Sequence, residues 1–135
     1  MPIEYEIQSE GRFINATAHG IVTDEDFIEY ETVHVIDERI KPPVDEMLEI
    51  APSAVIRLTH EGIRRALKKN KELGRNKIRH RCAIVVRHPD EIAWDLAKFY
   101  ESMARMHAPS SVIVFANPDI AKLWLGRPVN KKPVM

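Results

Sequence analysis

Hydrophobic and polar positions along this chain follow two periods, and the changes between them predict the elements. Residues 5–8 and 12–18 have strand patterns joined by the turn signal Ser9-Glu10-Gly11, which predicts a hairpin. In its second strand Ile14, Ala16 and Ala18 make the core side. His19-Gly20 breaks that strand, and Thr23-Asp24-Glu25-Asp26 opens a helix expected to reach about residue 39. Thr23 can accept from the backbone three residues on while Asp26 reaches back, and three acids suit the positive end of the helix dipole. The apolar residues Phe27, Ile28, Tyr30, Val33, Val35 and Ile36 spread around this helix, so two packed sides are expected.

After Pro42-Pro43, residues 47–50 predict a third strand, followed by a short Val55-Ile56 stretch. Thr59 caps a second helix over 60–73, and Gly74 stops it. Ile63, Ala66, Leu67 and Leu73 share one face; Arg64, Arg65, Lys68, Lys69 and Lys71 fall outside it. Residues 82–86 are a near-continuous apolar run, as in a strand covered on both faces. His88-Pro89-Asp90 opens a third helix reaching about residue 107, with Ile92, Leu96, Phe99, Tyr100 and Met103 on its apolar flank. Residues 112–116 form another buried strand, and Asn117-Pro118-Asp119 starts a short last helix ended by Gly126. The order β-β-α-β-α-β-α-β-α predicts an α/β domain: a mixed, mostly parallel sheet flanked by helices. One domain over 1–126 and a loose tail over 127–135 are expected.

Composition adds a charge asymmetry. The 135 residues carry no net charge, yet residues 1–61 sum to −10, residues 62–81 to +8 and the remainder to +2. Two readings stay open: solvated helix faces, or patches that steer association with a partner or a second copy. Asp24 and Asp26 supply the negative patch, and Arg64, Arg65 and Lys68 the positive one. The basic block contains no aromatic residue and the whole chain is neutral, which disfavours nucleic acid. No apolar run is long enough to span a bilayer, the start has no signal-peptide pattern, and a cytoplasmic protein is expected.

Chemistry-bearing patterns are sparse. The single cysteine, Cys82, begins an apolar strand and reads as a buried hydrophobe. The six histidines show no zinc spacing, and the glycines form no phosphate loop, so no metal, cofactor or catalytic residue is assigned. His60, Glu61 and His88 each lie near a helix start that follows a strand segment, at the rim where open α/β sheets bind ligands. They are the ligand-binding candidates; the alternative is capping and surface roles. Trp94 sits about 100° around the third helix from Ala93, beside Lys98, Glu101 and Arg105, and is the candidate apolar anchor for an interface.

The stretches Ile3-Glu4-Tyr5-Glu6-Ile7, Gly20-Ile21-Val22-Thr23-Asp24-Glu25-Asp26-Phe27, Thr59-His60-Glu61-Gly62-Ile63 and Ala121-Lys122-Leu123-Trp124-Leu125-Gly126 resemble, in that order, the STAS fold of anti-sigma-factor antagonists (SpoIIAA-like). They are more closely similar to a bacterial group of small STAS/SEC14-like proteins. The resemblance implies a four- or five-stranded sheet and a module that binds partners, some members binding nucleotides or lipids. STAS regulators carry a phosphorylated Ser in an Asp-Ser-Ser-Gly motif. The matching stretch here is Thr59-His60-Glu61-Gly62, with Glu61 at the Ser position and Thr59 as the nearby hydroxyl, a phosphorylation candidate. The functional expectation is a non-enzymatic binding or regulatory module acting through protein contacts, as a homodimer or with another protein. The alternative is a small-ligand binder, lipid-like or anionic, with a pocket between the sheet and the third helix.

Overall fold

The computed structural model describes residues 2–74, 79–87, 90–107 and 111–129. The chain runs β1 (Ile3–Gln8), a 3-10 turn (Ser9–Gly11), β2 (Phe13–Ala18), β3 (Ile21–Thr23), α1 (Asp24–Ile36), β4 (Val44–Ile50) and β5 (Val55–Arg57). It continues through α2 (His60–Leu73), β6 (Arg79–Val86), α3 (Glu91–His107), β7 (Ser111–Phe115) and α4 (Pro118–Trp124). Five strands form one sheet in the order β1-β2-β4-β6-β7. The β1–β2 hairpin is antiparallel and every other neighbouring pair is parallel. Two strands exceed the expected order: β3 and β5 pair in parallel as a separate small sheet.

Register aligns side chains in rows across the sheet. Facing α1, α2 and α3, one row is Ile7, Ile14, Glu46, Cys82 and Val112; the next is Tyr5, Ala16, Leu48, Ile84 and Val114; the last is Ile3, Ala18, Ile50 and Val86. The second and third rows, with Cys82 and Val112 of the first, make the main core with the inner faces of the three helices, while Ile7 and Ile14 pack with Ile40 and Val44 in a smaller cluster. The opposite face is covered only in part: α4 lays Ala121, and then Leu125, onto Phe13, Met47, Ala83 and Val85. Arg81 fixes α4 by donating to the Trp124 carbonyl (2.7 Å) and the Leu125 carbonyl (3.3 Å) while it pairs with Asp45 (2.9 Å). Just after Gly126, the Arg127 guanidinium lies 4.0 Å from the centre of the Phe13 ring. Residues 130–135 lie outside the described residues.

The helices correct several expectations. α1 ends at Ile36, three residues early, because Asp37 turns extended and binds Arg39. It has one buried stripe, not two: Phe27, Tyr30, Glu31 and His34, at i, i+3, i+4 and i+7, while Ile36 is 77% exposed. Two of its four buried positions are therefore ionisable, and the apolar residues alone did not reveal the face. In α2 the core face continues through Asn70 instead of the exposed Leu73. In α3, Ile92 leaves the apolar flank and is exposed, whereas Glu101 turns inward and accepts from the Val114 backbone N–H (2.7 Å) on the edge strand β7. No described helix is long and apolar enough to cross a membrane.

Candidate functional site

The small β3–β5 sheet shapes the strand-to-helix rim. Pairing Thr23 with Arg57 sets the starts of α1 and α2 side by side. Thr23 and Asp26 form a reciprocal capping box on α1: Asp26 accepts from the Thr23 N–H (2.9 Å), and Thr23 Oγ1 accepts from the Asp26 N–H (3.3 Å). Asp24 reaches across to α2, accepting from the Thr59 N–H (2.8 Å) and the Thr59 hydroxyl (2.7 Å). Thr59 Oγ1 in turn accepts from the Gly62 N–H (2.9 Å), as expected of the cap. A Cβ at Gly62 would lie 2.0 Å from Asp24 Oδ1, so this clamp requires glycine there. Arg65 adds a contact to Asp24 (3.8 Å) and another to Glu25 (3.5 Å).

This arrangement divides the candidate residues. Asp24, Asp26 and Arg65 are engaged within the chain. The Thr59 hydroxyl already serves two partners, one a carboxylate that would repel an added phosphate. His60 is exposed and stacks on Phe99 of α3, with ring centres 4.1 Å apart and planes 15° apart. Glu61 is exposed, and no hydrogen bond joins it to His60 among the described residues. His88 lies outside the described residues. Trp94 is half-buried and lines an open groove with Val86, Arg87, Asp90, Glu91, Asp95 and Ala116, beyond the ends of β6 and β7. Arg64 and Lys68 are exposed on the side of α2 that borders α3.

Behind the clamp lies an apolar slot. Ala18, Leu48, Ile50 and Ile84 of the sheet form one wall, and Phe27, Ile63, Ala97 and Tyr100 are among the helical residues opposite. The half-exposed Ile50, Ile56 and Leu58 place its open end at the rim. The cavity of ≈ 40 Å³ would hold roughly three waters by size, but its lining gives them almost nothing to bond. Its position, between sheet and third helix, is that expected for a ligand pocket; His60 does not line it.

One row deeper, the same helix–sheet layer is lined with ionisable side chains. Glu31, His34, Glu46 and Arg79 are all buried. Tyr30 donates to Glu46, and Tyr100 donates to Glu31 Oε1 (2.7 Å). Arg79 Nη1 lies 3.0 Å from Glu46 Oε1 and 4.0 Å from Glu31 Oε1. Burial by itself would lower the Arg79 guanidinium, but the fields of Tyr100, Cys82, Glu46 and Glu31 hold it well above its ordinary value. Ligand atoms of Glu31, His34 and Glu46 come within 4.8 Å of one another, a donor set that suits a divalent metal. Arg79 already places one positive charge between the two carboxylates, closer to Glu46 than to Glu31, so the cluster is compensated in part without a metal.

Aromatic edges carry the cluster outward. Tyr5 meets His34 edge-on (4.8 Å between centres), and its hydroxyl donates to Asp37 (2.8 Å), which Arg39 holds from outside (2.7 Å). Hydrogen bonds from the Arg39 side chain hold the Asp37 carboxyl well below the usual carboxylate range. Burial and the bond to Asp37 push the Tyr5 phenol up. Sequence reading missed this network, although its signal is present: Glu31 and His34 stand at i+4 and i+7 from Phe27, and Glu46 stands in phase with Val44, Leu48 and Ile50.

Comparison with known proteins fits this architecture. No family model and no curated protein matches the chain. Among solved structures, it is similar to an uncharacterised protein of the DUF3478 family with a SpoIIAA-like fold from Shewanella loihica PV-4. The two share 20% identity and a TM-score of 0.58, over 91% of this chain and 93% of that one. The chain thus has a SpoIIAA-like (STAS) α/β fold.

Proposed function

We propose that this protein is a binding and regulatory module without a reaction of its own, and that its slot takes the apolar end of a small ligand. The apolar cavity at the strand-to-helix rim carries this reading: an internal space that water cannot satisfy favours hydrocarbon. The last two or three carbons of an acyl tail would enter past Ile56 and Leu58, with the rest of the chain and its polar head lying along the rim. The SEC14-like side of the resemblance, with a cytoplasmic bacterial setting, fits such a ligand. Calorimetric titration with decanoate tests it. Binding with a negative heat-capacity change is expected, lost in Ala97→Leu, which narrows the slot. No binding to the wild-type protein, together with native mass spectra free of any co-purified small molecule, would remove the reading.

A second reading, recognition of protein surfaces, rests on Trp94, half-buried beside its open groove. Homodimerisation through this groove predicts that Trp94→Ala halves the mass seen by light scattering. An equal monomer mass for both proteins at high concentration would exclude it.

A further inference from the structure

We infer that the groove between α2 and α3 is a docking site for an acidic amphipathic helix of a partner protein. The groove is lined by Arg64, Lys68 and Lys71 along α2, with Leu67 and Met103 as its apolar part. Positions i, i+4 and i+7 place the three cations on one stripe, about 6 and about 10 Å along the axis from the first. None of the three makes an ion pair with a described residue, whereas Arg65, the next position, is held by Asp24 and Glu25. Arg64 is steadied at one end, its guanidinium 5.6 Å from the centre of the Phe99 ring that His60 stacks upon.

Charge and shape together choose the occupant. A helix lying along the groove brings its own carboxylates at i, i+4 and i+7 opposite the cations, and covers the half-exposed Met103 and the edge of the buried Leu67 with the apolar residues between them. A nucleic acid would use the cations alone and leave the apolar surface wet. It would also meet a chain whose other charges cancel these. The inference goes beyond the protein-recognition reading, because this groove shares no residue with the one beside Trp94. It is independent of the slot, since none of the three cations lines that cavity.

The test uses a stapled helical peptide with Glu at i, i+4 and i+7 and Leu at i+3, followed by fluorescence anisotropy against the full chain. Binding that weakens with salt is expected, with at least about a tenfold loss in Arg64→Glu/Lys68→Glu. Lys69→Glu, exposed on the same helix but outside the groove, should retain binding. Circular dichroism confirms that each variant is folded, and decanoate titration of the same variants reads the slot separately. Four results would each overturn the inference: no binding of the peptide, equal losses in Lys69→Glu and the double variant, equal binding of a scrambled peptide, or preferential binding of single-stranded DNA or anionic vesicles by the same residues.

Discussion

The slot and the polar cluster lie under the same three helices, one sheet row apart, yet they fill that space in opposite ways. The upper rows meet the helices with Ala18, Leu48, Ile50 and Ile84 and leave a cavity. The lower row and the start of β6 meet them with Glu46 and Arg79, whose neighbours close the space with hydrogen bonds and charge. Apolar packing tolerates a small void; buried charge tolerates very little, because each ion must be matched. Tyr100 belongs to both regions: its ring lines the slot and its hydroxyl donates to Glu31. The cluster therefore fixes one wall of the slot, and the difference teaches that a rigid polar floor can support an adaptable apolar pocket.

The largest expected effect comes from breaking the lower region. Arg79→Met leaves Glu31 and Glu46 buried without their guanidinium and should cost about 3–5 kcal/mol, read as a fall in urea-unfolding stability. Replacing all three groups, in Glu31→Leu/Glu46→Leu/Arg79→Met, should recover much of that loss while loosening Tyr100. A loss below about 1 kcal/mol in the single variant would mean that the two carboxylates neutralise cheaply, and the contrast between regions would fail.

The sequence makes one region far more readable than the other. The hairpin, the caps at Thr23 and Thr59, the buried Ile14-Ala16-Ala18 face and the apolar strand around Cys82 follow from period and turn chemistry. The slot's position followed from strand-to-helix topology, though not its lining. The cluster is hidden because hydrophobic periodicity marks core faces by apolar residues alone, and Glu31, His34, Glu46 and Arg79 occupy core positions with polar side chains. The short β3 and β5 were hidden for another reason. Three residues each carry little periodicity, and only their pairing makes them strands. Trp94 and Glu101 share a helix side, but Glu101 is drawn inward by the Val114 N–H, a long-range demand that rotation about α3 does not contain.

The rim clamp gives the next largest effect. In Gly62→Ala the new methyl displaces the Asp24 carboxylate, so the bonds to Thr59 are lost with it. The expected cost is about 2 kcal/mol in urea. Decanoate binding should weaken too, since Ile63 of the slot follows directly on this clamp. A destabilised variant with unchanged decanoate affinity would separate clamp from slot. Filling the slot should act in the other direction: Ala97→Leu is expected to raise stability by about 1 kcal/mol while abolishing binding. A fall of that size instead would show the upper region to be as tightly filled as the lower one.

The smallest effect concerns pH, and it asks whether charge outside the cluster matters as well. Burial alone would raise the Glu101 carboxyl, but the Lys98 bond (2.6 Å), the Val114 N–H and the charge of Arg105 hold it below its ordinary value. Asp37 is lowered by Arg39 in the same sense. For a carboxyl lowered in the folded state, the unfolded chain binds more protons in acid. Its stabilisation is complete above the ordinary carboxyl range, about pH 4, and drains away as pH falls through the lower folded value. Glu101→Gln keeps an acceptor for the Val114 N–H but removes the charge. It should therefore lose under about 1 kcal/mol at pH 7 and show a shallower decline of melting temperature between about pH 5 and pH 3. A decline as steep as that of the wild type would assign the acid sensitivity to Asp37 and the buried carboxylates, and would leave the β7 edge held by hydrogen bonding alone.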